Sequence, residues 1–496
     1  MKISAENQEY LRRLCLYNFV DDVLAGEEHI KSLKKNYMPY TAGMRALLHQ
    51  IQNQEIDATV EQVEDLYHDL VARAQFPSWT ETALLVMVGL VAQVVPIYHL
   101  PDRLKYLEED CTTDGFSLVE LFQRVCYHLV RYGKVTLVGD VDQDGKAFIA
   151  LYDAYAEYNW KNANIRGRTD LIMCAFKESV AANPQDLFDS STKLHRRAYI
   201  IDQDGLAKVY ESSEEEEAQV FADYIGMENR PLEYLPVVRL SAINNITETS
   251  NPPLLPLCRS TVKAYQLSGD LYSALHRSCH PQMYVTGVNV SPLSQGDPAT
   301  SGRRPNNARA KGFGYTGAGT IWTLPMNATA GYAEPQGTGI GKVSDEITKQ
   351  KAAALEAGAK VMDIGVESGD AREARQNDQY ATLYSIIKNS AKALEQILRY
   401  IYDMTSFQEN KEEETSIRFE VPSDFGRHTV DGTLAAHLLT AAERGAISFA
   451  TYWEYITTGK MPERTLLEEI SKMQGEDIKL KPITGMVQTT KQGKES

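Results

Sequence analysis

From Glu6 to about Tyr132 the chain has the hydrophobic spacing of amphipathic helices. In "TVEQVEDLYHDLVARAQF", residues 59–76, apolar side chains recur at intervals of three and four, which predicts a helix with one face turned toward a core. The same spacing fills "DGFSLVELFQRVCYHLVRYGK". That segment contains Ser117, which can cap a helix, and ends near Gly133, which can stop one. We therefore expect a helical N-terminal region.

The most apolar run is "ALLVMVGLVAQVVPIY", from Ala83 to Tyr98. It is interrupted by Gln93 and Pro96 and is shorter than the roughly 20 residues that cross a bilayer. The pattern predicts a buried helix rather than a membrane span. The first residues, "MKISAENQEYLRRLCLYNF", lack the apolar core of a signal peptide. We expect a soluble protein.

Strand-like alternation follows the helical region. Two segments, "KVTLVGDVDQDGKAFIALYD" and "RRAYIIDQDGLAKVYESS", alternate apolar and polar residues on either side of the same tetrapeptide, Asp-Gln-Asp-Gly. Asp-Gly between such runs is a strong hairpin signal. Asp140, Asp142 and Asp144 also resemble the start of a calcium-binding loop, but position twelve, which needs an acidic residue, is Leu151. We predict two hairpins here, and one further strand in "EYLPVVRLSAINN".

A long helix is predicted next, in "LLPLCRSTVKAYQLSGDLYSALHRSCH", with a length of roughly 38 Å at the standard rise per residue. It carries small residues that would let neighbouring helices approach closely: Ser260, Ser268, Gly269, Ser273, Ala274 and Ser278. The following segment, up to Gly341, is rich in glycine, with 11 of the chain's 32 glycines after residue 286. We expect a separate β-rich or looped module there.

Two more long helices are predicted beyond this module. The first starts at a suitable cap, Ser344, and the second covers "QYATLYSIIKNSAKALEQILRYIYDM". The segment "DIGVESGDAREARQND" interrupts them, and "TSIRFEVPSDF" then reads as a strand returning to the earlier sheet. Three short helices separated by Gly445 and Gly459 precede a polar tail, residues 474–496.

The stretch "YAEPQGTGIGKVSDE" resembles a phosphate-binding loop that leads into a helix. A P-loop would need a glycine where Gln336 stands and a hydroxyl group where Val343 stands. Two of the four fixed positions therefore fail. We interpret Gly337, Gly339 and Gly341 as a flexible link into the helix.

Composition and charge limit the possible functions. The chain has 496 residues, is 43% hydrophobic and 24% charged, and carries a formal net charge of −16. Coating of nucleic acid requires clustered Lys and Arg, so this balance argues against it. It is compatible with a protein that lets DNA pass without gripping it. The six cysteines form no C-x-x-C pair and read as reduced thiols: Cys15, Cys111, Cys126, Cys174, Cys258 and Cys279.

No pattern marks a catalytic or metal site. His276, Cys279 and His280 in "HRSCH" have a spacing that a metal could use, but no fourth ligand is suggested nearby. The chain has no G-x-S-x-G elbow and no H-E-x-x-H motif. We therefore expect no enzyme activity, no catalytic residues, no bound metal and no cofactor.

The order of these modules resembles that of the portal proteins of tailed bacteriophages, which form the ring through which DNA enters and leaves the capsid. Local stretches carry the same resemblance: "LPDRLKYLEEDCTTDGFSLVELFQRV", "RYGKVTLVGD", "YDAYAEYNW", "PPLLPLCRSTVKAYQLSGDLYSAL" and "IWTLPMNATAGYAEPQGTGI". The resemblance covers about residues 100–473. The N-terminal hundred residues are less distinctive.

The resemblance implies an α+β, portal-like fold with an α/β wing, a long-helix stem, a β-rich clip and a helical crown. The implied boundaries are wing 1–251, first stem helix 252–280, clip 281–341, second stem helix 342–362, tunnel loop 363–375, wing again (long helix and return strand) 376–429, crown 430–473 and flexible tail 474–496.

The resemblance also assigns roles to three sets of residues. The tunnel loop nearest to DNA would comprise Asp363, Gly365, Glu367, Gly369, Asp370, Arg372, Glu373 and Arg375. Four cations of the clip would contact an acidic partner or passing DNA: Arg303, Arg304, Arg309 and Lys311. The joint between clip and stem would be formed by Gly337, Gly339 and Gly341.

Portals of this kind are twelve-fold rings at one capsid vertex, and the resemblance implies the same for this chain. The implied partners are further copies of the chain, the large terminase subunit, a head–tail adaptor, the major capsid and scaffolding proteins, and double-stranded DNA passing without sequence-specific binding. The protein would be assembled in the host cytoplasm and retained in the virion. The alternatives are a virion scaffold or adaptor and, less favoured by the motifs, a nucleotide-dependent enzyme acting on nucleic acid.

Overall fold

The computed structural model of the chain describes residues 3–142, 145–165, 168–183, 185–186, 188–213, 219–222, 231–243, 249–278, 282–286, 329–333, 338–356, 369–405, 411–422, 432–458, 461 and 464–475. The chain divides into two units, Met1–Pro422 and Ser423–Ser496. Helices and strands are both well represented, which agrees with the predicted α+β class.

Helices form the N-terminal part of the first unit: α1 (Gln8–Leu24), α2 (Glu27–Ser32), α3 (Ala42–Gln52), α4 (Val60–Arg73), α5 (Trp79–Ala92) and α6 (Leu118–Tyr132). Two 3₁₀ turns lie among them, Lys34–Asn36 and Asp102–Glu108. The predicted ends of α6 are confirmed. Ser117 and Glu120 form a reciprocal capping box at its start, and Gly133 ends it with a left-handed φ of 75°.

Two antiparallel sheets follow α6. The first has the order β3–β2–β9, from β2 (Lys134–Val141), β3 (Ala147–Tyr152) and β9 (Val237–Ser241). The second is a five-stranded meander of β4 (Glu157–Ile165), β5 (Arg168–Ala181), β6 (Thr192–Ile201), β7 (Ala207–Ser213) and β8 (Gln219–Ala222). The β4–β5 pair was not predicted from the sequence.

Both Asp-Gln-Asp-Gly hairpins are confirmed. The turn between β2 and β3 closes with the Gly145 amide donating to the carbonyl of Asp142, and the Lys146 amide donates to the Asp142 side chain. The turn between β6 and β7 has the same closure, from Gly205 to Asp202. Both glycines have a φ near 80°, the left-handed region that glycine adopts easily.

A long excursion leaves this body after β9 and returns to it. It consists of α7 (Leu255–Ser278), β10 (Gln282–Thr286), β11 (Thr329–Ala333), α8 (Thr338–Glu356) and α9 (Gly369–Thr405). Helix α8 packs against α7, and β10 pairs with β11 in antiparallel register. The C-terminal part of α9 packs on α6, β2 and β9. Gly139 of β2 permits this approach, since a Cβ there would lie 3.2 Å from Cγ1 of Ile401.

The last part of the first unit corrects one prediction. After the short α10 (Lys411–Ser416), the return strand β12 (Arg418–Glu420) pairs with β1 (Ile97–His99) rather than with either larger sheet. Tyr98 and Phe419 stack with their ring planes 9° apart. The stacking, together with burial of Phe419, explains why β12 pairs with β1.

Within its described residues the second unit contains three short helices, as predicted: α11 (Gly432–Glu443), α12 (Phe449–Thr458) and α13 (Leu466–Gly475). Gly445 turns the chain between the first two with a φ of 71°. Ser448 caps α12, and its backbone amide also donates to Glu469 of α13. Gly459 and residues 476–496 lie outside the described residues.

Candidate functional site: the helical arm and its anchors

The first half of α7 is buried in the body of the protein. Leu257, Cys258, Thr261 and Tyr265 are fully or almost fully enclosed by the N-terminal helices α1, α4 and α5. Beyond residue 269 the helix is only half-buried, and His276 near its end is exposed. The burial gradient makes α7 a helix that is rooted at one end and projects at the other.

Hydrogen bonds fix the rooted half of α7. The hydroxyl of Ser268 donates to the carbonyl of Gln75 and accepts from the Gln75 amide, both at 2.9 Å. The Gln266 side chain donates to the Tyr37 carbonyl at 2.8 Å. Thr80 and Thr261 bond through their hydroxyls at 3.0 Å. The N-terminal helices therefore clamp the first long helix.

The small residues of α7 serve this clamp. A Cβ at Gly269 would lie 3.0 Å from Met38 Cε and 3.3 Å from Leu70 Cδ1, so the lack of a side chain there favours the close packing of α4. Ser268 and Gly269 thus contact the chain's own helices. The expectation that small residues let neighbouring helices approach closely is confirmed at Gly269, where the neighbouring helix is α4 of the same chain.

Helix α8 carries a polar outer face. Among residues 339–354 only Ala354 is buried, and the half-buried positions recur at the three- and four-residue spacing of one face, as at Ile340, Val343 and Ile347. Lys349 and Gln350 donate to Glu346, which is itself half-buried. The Lys349 ammonium holds the pKa of Glu346 below its usual range.

The predicted flexible joint is corrected by α8. The helix begins at Thr338, so Gly339 and Gly341 are helical, and Ser344 lies inside the helix rather than at its cap. The Ser344 carbonyl accepts from the Thr348 hydroxyl, an interaction one turn apart. The helix starts early because "KVSDEITKQKAAALE" is rich in helix-forming residues and can extend through two glycines. Gly337 lies outside the described residues.

The strands β10 and β11 belong to the segment predicted to be the clip, residues 281–341. Their register runs from Gln282 opposite Ala333 to Thr286 opposite Thr329. The four cations assigned to partner contact lie outside the described residues: Arg303, Arg304, Arg309 and Lys311. Their role stays a prediction.

The predicted tunnel loop is divided by the start of α9. Asp363, Gly365 and Glu367 lie outside the described residues. The remaining members belong to the first turns of the helix: Gly369, Asp370, Arg372, Glu373 and Arg375. The prediction that the whole segment is a loop was wrong for these five positions, because "AREARQ" is composed of good helix formers that extend α9 toward its N-terminus.

The C-terminal half of α9 is the second root of the excursion. Ile397, Leu398 and Ile401 are completely buried between α6 and the β3–β2–β9 sheet. The guanidinium of Arg103 stacks 3.5 Å from the centre of the Tyr402 ring and donates to the Tyr402 carbonyl. The excursion from α7 to α9 is therefore anchored in the body at both ends, and we call it the arm.

A buried ion cluster connects the two sheets of the body. Glu157 of β4 is completely buried and contacts Lys134 Nζ at 3.0 Å and Arg239 Nε at 2.7 Å. Both cations also lie over the Trp160 ring, with Lys134 Nζ 4.1 Å and Arg239 Cζ 4.5 Å from the ring centre. The Thr136 hydroxyl also donates to Glu157. One carboxylate thus joins β2 and β9 to β4.

Electrostatics explain the ionisation of this cluster. Burial alone would raise the pKa of Glu157, but the Lys134 ammonium and the Arg239 guanidinium outweigh it and hold the pKa below its usual range. Burial lowers the pKa of Lys134, although Glu157 opposes that effect. The carboxylate therefore stays charged at neutral pH and compensates the cations.

A second polar network reinforces the same junction near the other end of β2, at Asp140. Arg197 of β6 donates to Asp140 at 3.2 Å and to Glu211 at 2.9 Å, and the Tyr199 hydroxyl donates to Asp140 at 2.8 Å. Burial raises the pKa of Asp140. The two sheets are consequently locked together by charges as well as by apolar contacts.

Sequence reasoning missed both networks, together with the Gln75–Ser268 clamp. The partners lie far apart along the chain, so their spacing carries no signal. A charged residue inside an apolar strand, such as Lys134 at the start of "KVTLVGD", was the one indication available.

No helix within the described part of the chain is long and apolar enough to span a membrane. Among the same residues, no group of three or more His, Cys, Asp or Glu side chains is arranged to hold a metal ion.

Comparison with known proteins gives one match to a family model, a domain of unknown function named DUF4055, over residues 253–405. The match covers less than a third of the chain and coincides with the arm, from the start of α7 to the end of α9. No curated protein sequence gives a significant match.

Solved structures with some similarity come from gene transfer agent particles. A chain from the neck of an empty particle, computed with C6 symmetry, has a TM-score of 0.39 and 11% identity, and the match covers 74% of this chain and 85% of the other. A chain from the virion of the native particle has a TM-score of 0.39 and 13% identity, with 77% and 90% covered. A chain from the native neck, computed with C12 symmetry, has a TM-score of 0.36 and 12% identity, with 79% and 94% covered. Scores of this size do not establish a shared fold.

Proposed function

We propose that the chain is the subunit of a portal-type ring at the head–tail junction of a tailed phage or phage-like particle. The ring conducts double-stranded DNA during packaging and ejection and docks first the packaging motor and then the tail adaptor. The resemblance in module order supports this assignment, and it sets the expected ring at twelve copies.

The observation that carries the proposal is the arm. Two packed helices project from the body, end in a two-stranded excursion and return through a third helix that is buried again. Such an arm, rooted at both ends, suits a conduit wall, since the stem helices stand together around the channel while the excursion reaches beyond the body. In this assignment α7 and α8 are the stem, β10 and β11 open the clip, and α11 to α13 are the crown.

Charge supports a conduit over a DNA-binding protein. Each Lys or Arg that neutralises a phosphate strengthens the grip on DNA and slows its passage. A chain with a net charge of −16 repels DNA on average. On the exposed side of α8, one anion, Asp345, lies among Lys342, Lys349 and Lys351.

Native mass spectrometry of the purified full-length chain tests the proposal. A single dominant species near twelve times the 55.5 kDa of one chain is the expected result. A chain that stays monomeric or dimeric across protein concentrations and salt conditions contradicts a ring subunit and favours the scaffold or adaptor alternative.

A further inference from the structure

Five helices of the first unit pack side by side in a fixed order. Helix α4 packs on α7, α7 on α5, α5 on α6, and α6 on the C-terminal part of α9. This order places α4 at one end of the layer and α9 at the other. The central helix, α5, was predicted from its sequence to be buried. Leu84 and Val91 are buried but Leu85 is 64% exposed, so that prediction is correct for one face only.

The outer face of α4 is acidic. Glu61 and Asp65, one helical turn apart, are both exposed, and neither forms an ion pair within the described part of the chain. Asp69 follows after another turn, although its carboxylate pairs with Arg73 at 3.0 Å. Helix α3 also packs on α4 but leaves these carboxylates exposed. This end of the layer therefore presents negative charge that its own chain does not neutralise.

The outer face of α9 is basic. Lys388 and Lys392, again one turn apart, are both exposed, and neither has an ion pair among the residues that the structure describes. The nearest carboxylate along the same face is that of Glu395, which pairs with Arg399 at 2.6 Å instead. The two ammonium groups are therefore available to an anion from outside the chain.

The two faces match in spacing as well as in sign. Side chains four positions apart on a helix are neighbours, so each pair of like charges is unfavourable within its own helix. An opposite pair with the same spacing would relieve both. Each face also has an exposed apolar neighbour: Leu66, 49% exposed, follows Asp65, and Ile243, 59% exposed, accepts a hydrogen bond from Ser385 of α9 through its carbonyl.

We propose that the α4 face of one copy binds the α9 face of the next copy. Glu61 and Asp65 lie opposite Lys388 and Lys392, and the apolar neighbours of the two faces cover each other. A second copy is the occupant because every chain carries both faces, at opposite ends of one layer, and each face supplies the charge that the other lacks.

A contact between different surfaces of identical chains is head-to-tail, and it closes into a ring when the rotation between copies divides a full turn. The inference rests on the proposed ring and names one of its contacts. It also explains how a chain with a net charge of −16 can associate with itself, since the meeting surfaces have opposite signs.

Charge reversal on one face at a time tests the contact. The acid-reversed variant carries Glu61→Lys and Asp65→Lys, and the base-reversed variant carries Lys388→Glu and Lys392→Glu. Each variant alone places like charges opposite each other, so the assembled fraction in native mass spectrometry should fall by about tenfold or more. Because all four side chains are exposed, both variants should unfold close to the wild-type denaturant midpoint.

Mixing the two variants gives the sharper result. Every contact between an acid-reversed and a base-reversed chain again joins opposite charges, so the mixture should form rings although neither variant does so alone. A single chain with all four substitutions should also form rings. Rescue on mixing shows at the same time that both variants are folded.

Lys161→Glu with Lys193→Glu is the matched control. These cations are exposed on β4 and β6 of the meander, and their reversal changes the net charge as much as the base-reversed variant does. The control should assemble like the wild type. An equal loss in the control would assign the effect to net charge and overturn the contact.

The remaining outcomes separate the two proposals. Rings that form normally with either reversed variant, or a loss that neither mixing nor the fourfold substitution restores, overturn the α4–α9 contact and leave the wild-type ring intact. A wild-type chain that forms no ring overturns the proposed function, and the contact with it.

Discussion

At the scale of single residues, Gly133 shows how one position joins three elements. It ends α6, precedes β2 and approaches the segment before α7, where a Cβ would lie 2.7 Å from the Asn251 carbonyl oxygen. The Ser250 hydroxyl donates to the Gly133 carbonyl at 2.8 Å. The root of the arm is therefore fixed against the body at this glycine.

Gly133→Ala should lower the free energy of unfolding by about 3 kcal/mol, from the left-handed φ together with the clash against backbone. Gly115→Ala is a matched control, because Gly115 has a φ of 77° and no atom within 4 Å of its added Cβ. The control should lose only about 1 kcal/mol. Chemical denaturation measures both. Equal losses would show that the close approach to Asn251 adds nothing to the cost of Gly133→Ala in the free energy of unfolding.

Glu157→Gln should destabilise the chain by about 3–5 kcal/mol, because it leaves two buried cations without their carboxylate. Asp69→Asn, which removes an exposed pair with Arg73, should change stability by less than about 1 kcal/mol. The comparison uses denaturant unfolding at neutral pH. A small effect at Glu157 would mean that water or another anion reaches the cluster.

The pH dependence of the Glu157 effect has a definite sign. The folded-state pKa of Glu157 is depressed, so its contribution is present above the ordinary glutamate pKa and is lost as pH falls through the folded value. Stability curves of the wild type and Glu157→Gln should therefore converge in acid. A gap between the curves that widens on acidification would contradict the assignment.

At the scale of elements, the extent of α8 shows that two of the glycines predicted to form a flexible joint are helical. Gly339 and Gly341 lie within the helix, and nothing lies within 4 Å of a Cβ added at either. Alanine at both positions should stabilise the start of α8 by about 1 kcal/mol per site, since glycine is the weaker helix former. Hydrogen exchange of the first α8 amides should slow several-fold.

Ala352→Gly and Ala353→Gly, at exposed positions of the same helix, provide the opposite control and should speed exchange. If the joint must bend when the clip changes partner, the alanine variant should also package DNA poorly although the ring still forms. Normal packaging with slowed exchange would show that α8 works as a stiff helix.

The sequence predicted those elements whose signals are local. Ser117 and Gly133 bracket α6 within a short segment, and each Asp-Gly turn is decided by four residues. Pairings set by distant residues could not be predicted in this way. Strand β12 pairs with β1 more than 300 positions earlier, and it does so through the Tyr98–Phe419 stack rather than through any local motif.

The candidate site was also predictable only where its signals are local. Helices α7 and α8 were predictable, because helix periodicity is a local signal. The roots of the arm were not. Ser268 and Gly269 gave the pattern of a helix contact without indicating its partner, which is α4 of the same chain.

At the scale of the whole molecule, the clip is expected to contact the motor and the adaptor through its cations. Reversing the charge of Arg303, Arg304, Arg309 and Lys311 to glutamate should abolish adaptor binding and reduce packaging while rings still form. Sedimentation and a binding assay with the adaptor measure the two effects.

A matched control reverses four exposed cations outside the clip: Arg12, Lys34, Arg45 and Lys161. It changes the net charge equally and should leave adaptor binding intact. Normal packaging and normal adaptor binding by the clip variant would show that its cations are only solvated.

Electron microscopy of the purified chain tests the central claim most directly. We expect closed rings with a central channel, in which α7 and α8 of every copy stand around the channel and the β10–β11 excursion projects from one end. Discrete monomers or dimers, or rings whose channel is bordered by other elements while the arms point outward, would contradict a portal-type conduit.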